Sequence, residues 1–133
     1  MMNRGTALLA LFVWSGVSIA GPFDTLQRET NTAHTPIISA PDKVKPGEAF
    51  DVMIAIGEKQ HPSLTDHFIR YIALYAGDVE IARVDLTPTM SVPQVTLTIT
   101  LQTSTTLRAL AAPNHSAPWV AEHPITVVAE SAD

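Results

Sequence analysis

The sequence predicts an all-β fold, an antiparallel immunoglobulin-like β-sandwich of about seven short strands. Three observations carry this reading. The segment "QVTLTITLQ" alternates throughout, with Val95, Leu97, Ile99 and Leu101 on one side and Thr96, Thr98, Thr100 and Gln102 on the other. That is the period-two signature of a strand with one buried face. Short β-branched and aromatic runs recur along the chain, separated by proline and glycine turn signals. After the first twenty residues, no stretch carries the apolar period of an amphipathic helix.

The first twenty residues stand apart. Arg4 is a short basic start, "TALLALFVWSGVSIA" is an uncharged apolar run, and Ser18 and Ala20 are small residues placed as at a cleavage point. Residues 1–20 are expected to be a secretory signal peptide, cleaved near Ala20–Gly21, which places the mature protein in the periplasm or outside the cell. The apolar run is short of the ~20 residues that span a bilayer. Residues 21–33 show no clear period and are expected to form a flexible arm, with the folded domain over 34–133.

The strands follow in order. "TPIISAP" is a short apolar piece closed by Pro41, and Pro46-Gly47 marks a turn. In "FDVMIAIG", Phe50, Val52, Ile54 and Ile56 share one face. "HFIRYIALYAG" is apolar on both faces, as an inner strand requires, and Gly77-Asp78 turns the chain. "VEIARVDL" starts in phase at Val79 and Ile81 and then shifts to Ala82, Val84 and Leu86, which predicts a bulge. After the alternating strand, "TTLRALAA" and "ITVVAE" complete the set.

Loss of the leader removes Arg4 and leaves seven basic against thirteen acidic residues, a net charge of −6. An acidic chain without a basic run is a poor partner for nucleic acid or an anionic membrane. The absence of cysteine excludes disulfides, thiolate metal ligands and a cysteine nucleophile. No serine sits in a nucleophile elbow, and the six glycines are scattered rather than gathered in a phosphate loop. The histidines are the remaining chemistry. His34, His61, His67 and His115 all lie just outside expected strands, where loop ends of one sandwich rim converge, and neutral imidazoles suit several transition metals. Spacing alone does not force them together, and the bland alternative is four solvated histidines at loop ends. His123, before Pro124, is expected to be structural or exposed.

From "HTPIISAPDKVKPGEAFDV" through "HPSLTDHFIRYIALYAG" to "TLRALAAPNHSAPW", the chain resembles the iron-binding domain of superoxide reductases, the neelaredoxin and desulfoferrodoxin group. The resemblance covers about residues 34–127. It implies an immunoglobulin-like sandwich whose iron takes four histidine nitrogens and one axial cysteine sulfur, with an open position at which superoxide is reduced to hydrogen peroxide. On this resemblance His34, His61 and His67 match the first three histidines. The family's Cys-Asn-x-His-Gly-x-Trp motif is broken: Pro113 stands at the cysteine and Ser116 at the fourth histidine, with His115 one residue away. Thr32 and Ala33 replace a Glu-Lys pair, and Lys59 is left as a nearby electrostatic helper. The implied cofactor is one transition metal ion, iron first and copper second, held without sulfur. A small-molecule oxidant and an electron-donor protein are the implied partners.

A second resemblance points elsewhere. The "KVKPGE" turn, the "HFIR" strand and the "DLTP" loop look like the sandwich subunit of bacterial sulfur-oxidation carrier complexes. That implies a metal-free interaction subunit whose partner carries a sulfur-binding cysteine; apart from this resemblance, a protein partner or a homo-oligomer is expected.

Overall fold

The computed structural model describes residue 23 and residues 25–129; the expected signal peptide lies outside the described residues. The described chain is all β. Its strands are β1 (Pro36–Ser39), β2 (Lys43–Val44), β3 (Phe50–Ile56), β4 (Ile69–Ala76), β5 (Val79–Asp85), β6 (Gln94–Ile99), β7 (Thr105–Pro113) and β8 (Trp119–Val127). They form a three-stranded sheet, β1-β3-β6, and a five-stranded sheet, β2-β8-β7-β4-β5.

The alternation read from the sequence builds the core. Val52, Ile54 and Ile56 of β3 meet Ile72 and Leu74 of β4, Leu107, Ala109 and Ala111 of β7 and Ile125 of β8 in one buried cluster. Fully burying such a side chain contributes about 1.5–3 kcal/mol. Strand β4 is buried on both faces because its other side, Ala73 and Tyr75, packs into a second cluster with Phe23, Leu110 and Val120.

Within residues 21–33, expected to form a flexible arm, Phe23 and Gln27 contact the sandwich. Phe23 is only 6% exposed, and its ring meets Tyr75 edge-on with centroids 4.9 Å apart. Gln27 pairs with β8: its N–H donates to the Pro118 carbonyl at 3.0 Å, and its own carbonyl accepts from the Val120 N–H at 3.2 Å. The outer face of the five-stranded sheet carries an apolar patch at Ala73, Tyr75, Leu110 and Val120, and Phe23 packs on it. A single aromatic anchor leaves no period in the sequence, which is why the segment read as linker.

The turns fall as expected. Gly47, Gly57 and Gly77 have positive φ. Gly77 opens a two-residue hairpin between β4 and β5 whose first position alone is left-handed, the type II′ pattern that demands glycine there. The phase shift in "VEIARVDL" is a bulge: Leu74 pairs with Ala82 and Tyr75 with Glu80, so Ile81 is the extra residue. Two strand assignments differ. β2, read as part of a turn, pairs in parallel with β8 through Lys43 and Thr126. β8 begins at Trp119 rather than Ile125, so His123 lies within a strand, its Nε2 3.3 Å from Asp42 Oδ1.

Candidate metal centre

Four histidines from three loops meet at one end of the sandwich. His34 precedes β1, His61 and His67 flank the connection from β3 to β4, and His115 lies between β7 and β8. One ring nitrogen from each lies within 4.8 Å of the others. All four residues proposed from the sequence are therefore brought together. His123 is not among them.

Local hydrogen bonds explain the convergence. In "HPSLTDH", Leu64 and His67 exchange two backbone hydrogen bonds of 3.0 and 3.1 Å. This tight reversal returns His67 to His61, and their rings stack with centroids 4.8 Å apart and planes at 9°. The loop before β4 is clamped to the loop after β7. The Phe68 N–H donates to Asn114 Oδ1 at 3.0 Å, and the Asn114 N–H donates to the Phe68 carbonyl at 3.0 Å. The neighbouring rings of His67 and His115 consequently stack with centroids 3.9 Å apart. His34 follows a turn closed by Asn31, and Trp119 stacks on its ring at 5.9 Å and 14°.

The hydrogen bonds also set which nitrogen is free. A carbonyl only accepts, so a ring nitrogen that meets one carries the proton, and in the neutral ring the other nitrogen keeps a lone pair. His61 is 2% exposed, and its Nδ1–H donates to the Pro62 carbonyl at 2.8 Å. Its Nε2 is buried and has no hydrogen-bond partner among the described residues. His34 Nδ1 meets Asn31 Oδ1 at 3.1 Å, and His115 Nδ1 meets Asn114 Oδ1 at 3.2 Å. The Nε2 atoms of His34 and His115 face each other at 3.1 Å.

The electrostatics of three of the rings, His34, His61 and His115, favour the neutral form. Burial first, then the neighbouring His115 and His67, holds His34 below the ordinary histidine value. Burial likewise lowers His61, against the opposing effect of the Pro62 carbonyl and with help from His34, His67 and His115. Desolvation, then His67, lowers His115. Neutral imidazoles with inward lone pairs are the ligand-competent form. A buried, unpartnered Nε2 amid three further imidazoles fits a transition metal ion, which supplies the missing partner. The donor set is all nitrogen. Pro113, at the position matched to the family's cysteine, is buried at the end of β7 and offers no donor atom.

A cavity of about 620 Å³ opens beside the cluster, lined in part by His34, His61, His67, Thr32 and Lys59. Lys59 is exposed, so the helper named from the sequence stands at this opening. Sequence reasoning missed Asn31, Asn114 and Trp119. The available signal was an asparagine three residues before one histidine and immediately before another, since asparagine side chains close such turns.

Comparisons with known proteins place the chain in a family. The Desulfoferrodoxin family model matches residues 26–122. A provisionally named superoxide reductase of Methanocaldococcus jannaschii is 46% identical over 66 residues, which is 50% of this chain and 55% of that protein. The match thus spans about half of that relative's length. A second, from Thermotoga maritima, is 31% identical over 71% of this chain and 86% of its own length. The solved superoxide reductase (neelaredoxin) of Ignicoccus hospitalis superposes with a TM-score of 0.66 at 35% identity, covering 71% of this chain and 81% of that one. With the family model covering most of the described sandwich and no cysteine anywhere in the sequence, the chain belongs to the desulfoferrodoxin family as a cysteine-free member.

Proposed function

We propose that the protein is an exported mononuclear metal-binding protein in which His34, His61, His67 and His115 hold one transition metal ion, iron first and copper second. The observation that carries this is His61 Nε2, buried and without a hydrogen-bond partner among the described residues, in a ring clustered with the other three imidazoles. Leaving such a group unmade costs about 1–3 kcal/mol, a cost that a purely structural histidine has no reason to bear. The metal-free interaction subunit is disfavoured by the same atom, because a docking module gains nothing from it.

The activity proposed is a slow one-electron reduction of superoxide. A redox-active metal ion held by His34, His61, His67 and His115 would provide the one electron that, with two protons, converts superoxide to hydrogen peroxide. The chain's own residues bind and orient. The Pro62 carbonyl fixes the His61 ring. Lys59 at the cavity mouth attracts the superoxide anion. Without a thiolate the site lacks the negative charge and electron donation of the cysteine-ligated relatives, so product release is slower.

Elemental analysis of protein reconstituted with iron and with copper tests the binding. One equivalent bound by the wild type and none by His61→Ala is expected; equal retention by both overturns the reading. Pulse radiolysis then tests the activity, with a rate well below that of the cysteine-ligated enzymes and a further fall in Lys59→Ala.

A further inference from the structure

The rings of His34 and His115 are held by amide side chains rather than by backbone. We propose that Asn31 and Asn114 are positioning residues: each holds its histidine as the Nδ1–H tautomer, so that both Nε2 lone pairs face one cation. The proposal rests on reading the cluster as a metal centre.

The assignment follows from donors that cannot change role. Asn31 Oδ1 accepts the backbone N–H groups of Ala33 at 2.9 Å and His34 at 3.1 Å. Asn114 Oδ1 accepts the backbone N–H of Phe68. In each amide the atom facing the imidazole is therefore the oxygen, and an amide oxygen only accepts. The Nδ1 of His34 and of His115 must carry the proton. In the neutral rings neither Nε2 then has one, and two lone pairs 3.1 Å apart repel each other unless a proton or a cation lies between them. Both asparagines are anchored to the fold. The Asn31 N–H donates to Thr35 Oγ1 at 2.7 Å, next to β1. Asn114 exchanges two hydrogen bonds with Phe68, beside His67. The second clamp brings His115 to the cluster although it stands one residue before the family's fourth histidine position.

Long-range ¹⁵N–¹H NMR of the purified metal-free protein reads each tautomer directly, with His123, outside the cluster, as reference. The wild type is expected to show His34 and His115 protonated at Nδ1. Asn31→Leu and Asn114→Leu should each release the tautomer of their own histidine, while Asn31→Asp and Asn114→Asp, which keep an acceptor, should retain it. Cobalt(II) titration supplies the second readout: the leucine variants should bind roughly ten- to hundredfold more weakly, and the aspartate variants should recover most of the loss. Nε2–H tautomers in the wild type, or leucine variants with unchanged tautomers and unchanged cobalt affinity, would overturn the proposal. Wild-type tautomers as assigned, released by the leucine variants but without cobalt uptake, would instead sink the metal-centre reading and support the role of the asparagines in setting the tautomers.

Discussion

The Nε2 atoms of His34 and His115, 81 residues apart in the chain, lie 3.1 Å from each other. Each ring has its other nitrogen facing an asparagine oxygen, so the pair would form half of the proposed cation site. The remaining half is His61 and His67, folded together by the reversal at Leu64.

Replacing His61 by leucine should separate function from stability. The buried Nε2 has no hydrogen-bond partner among the described residues, and removing it relieves about 1–3 kcal/mol, while the lost bond to Pro62 costs about 1 kcal/mol. His61→Leu should therefore keep or raise the metal-free Tm and abolish stoichiometric metal uptake. A Tm drop in calorimetry as large as that of a core truncation would show that His61 is simply structural.

Acid should destabilise the metal-free fold through these rings. His34, His61 and His115 all sit below 6.5 when folded, so the unfolded chain binds more protons and stability rises with pH. Their contribution is fully present above the unfolded value of about 6.5 and is lost as pH falls from there through the lower folded values. Urea midpoints between pH 7.5 and 5 check this, and His34→Gln should flatten the slope. A variant slope as steep as the wild type's assigns the acid sensitivity elsewhere.

Gly57 is expected to tolerate no side chain. It has φ of +77°, and a Cβ there meets the Ala33 carbonyl oxygen at 2.6 Å and carbon at 2.9 Å. Backbone cannot yield as a side-chain tip would, so Gly57→Ala should cost at least about 2 kcal/mol. Because this contact holds the loop before His61 against the turn before His34, metal affinity should fall with it. Denaturant unfolding and cobalt titration measure the two effects; an alanine variant with wild-type values in both would refute the contact.

Phe23 should behave as a core residue. Phe23→Ala uncovers Tyr75, Leu110 and Val120 on the outer sheet face and should cost about 3 kcal/mol. Thermal unfolding should register this as a clear drop in Tm, whereas a change of under about 0.5 kcal/mol, usual for surface positions, would return the segment to the status of a loose arm.

Trp119 should report metal uptake. It stacks on His34 with ring centroids 5.9 Å apart, and the chain's other tryptophan, Trp14, lies in the expected leader. Copper(II) added to protein lacking residues 1–20 should quench the emission with one-equivalent saturation, and His67→Ala should abolish the saturable phase.

The strands were legible because their physics is local. The alternation of Val95 to Leu101 and the two buried faces of "IRYIALYA" follow from a side-chain period of two, and the bulge at Ile81 follows from its interruption. The four histidines were legible as a group only through their resemblance to a family, since a loop spacing constrains no distance. What the sequence by itself determined is the sandwich, the cysteine-free donor set and the residues available to it. Tertiary structure alone decided that Phe23 belongs to a core, that Gly57 must meet Ala33, and that Asn31 and Asn114 face the rings of His34 and His115. These are contacts between side chains or loops whose partners are fixed by where the sheets place them, and no period in the chain encodes such a meeting.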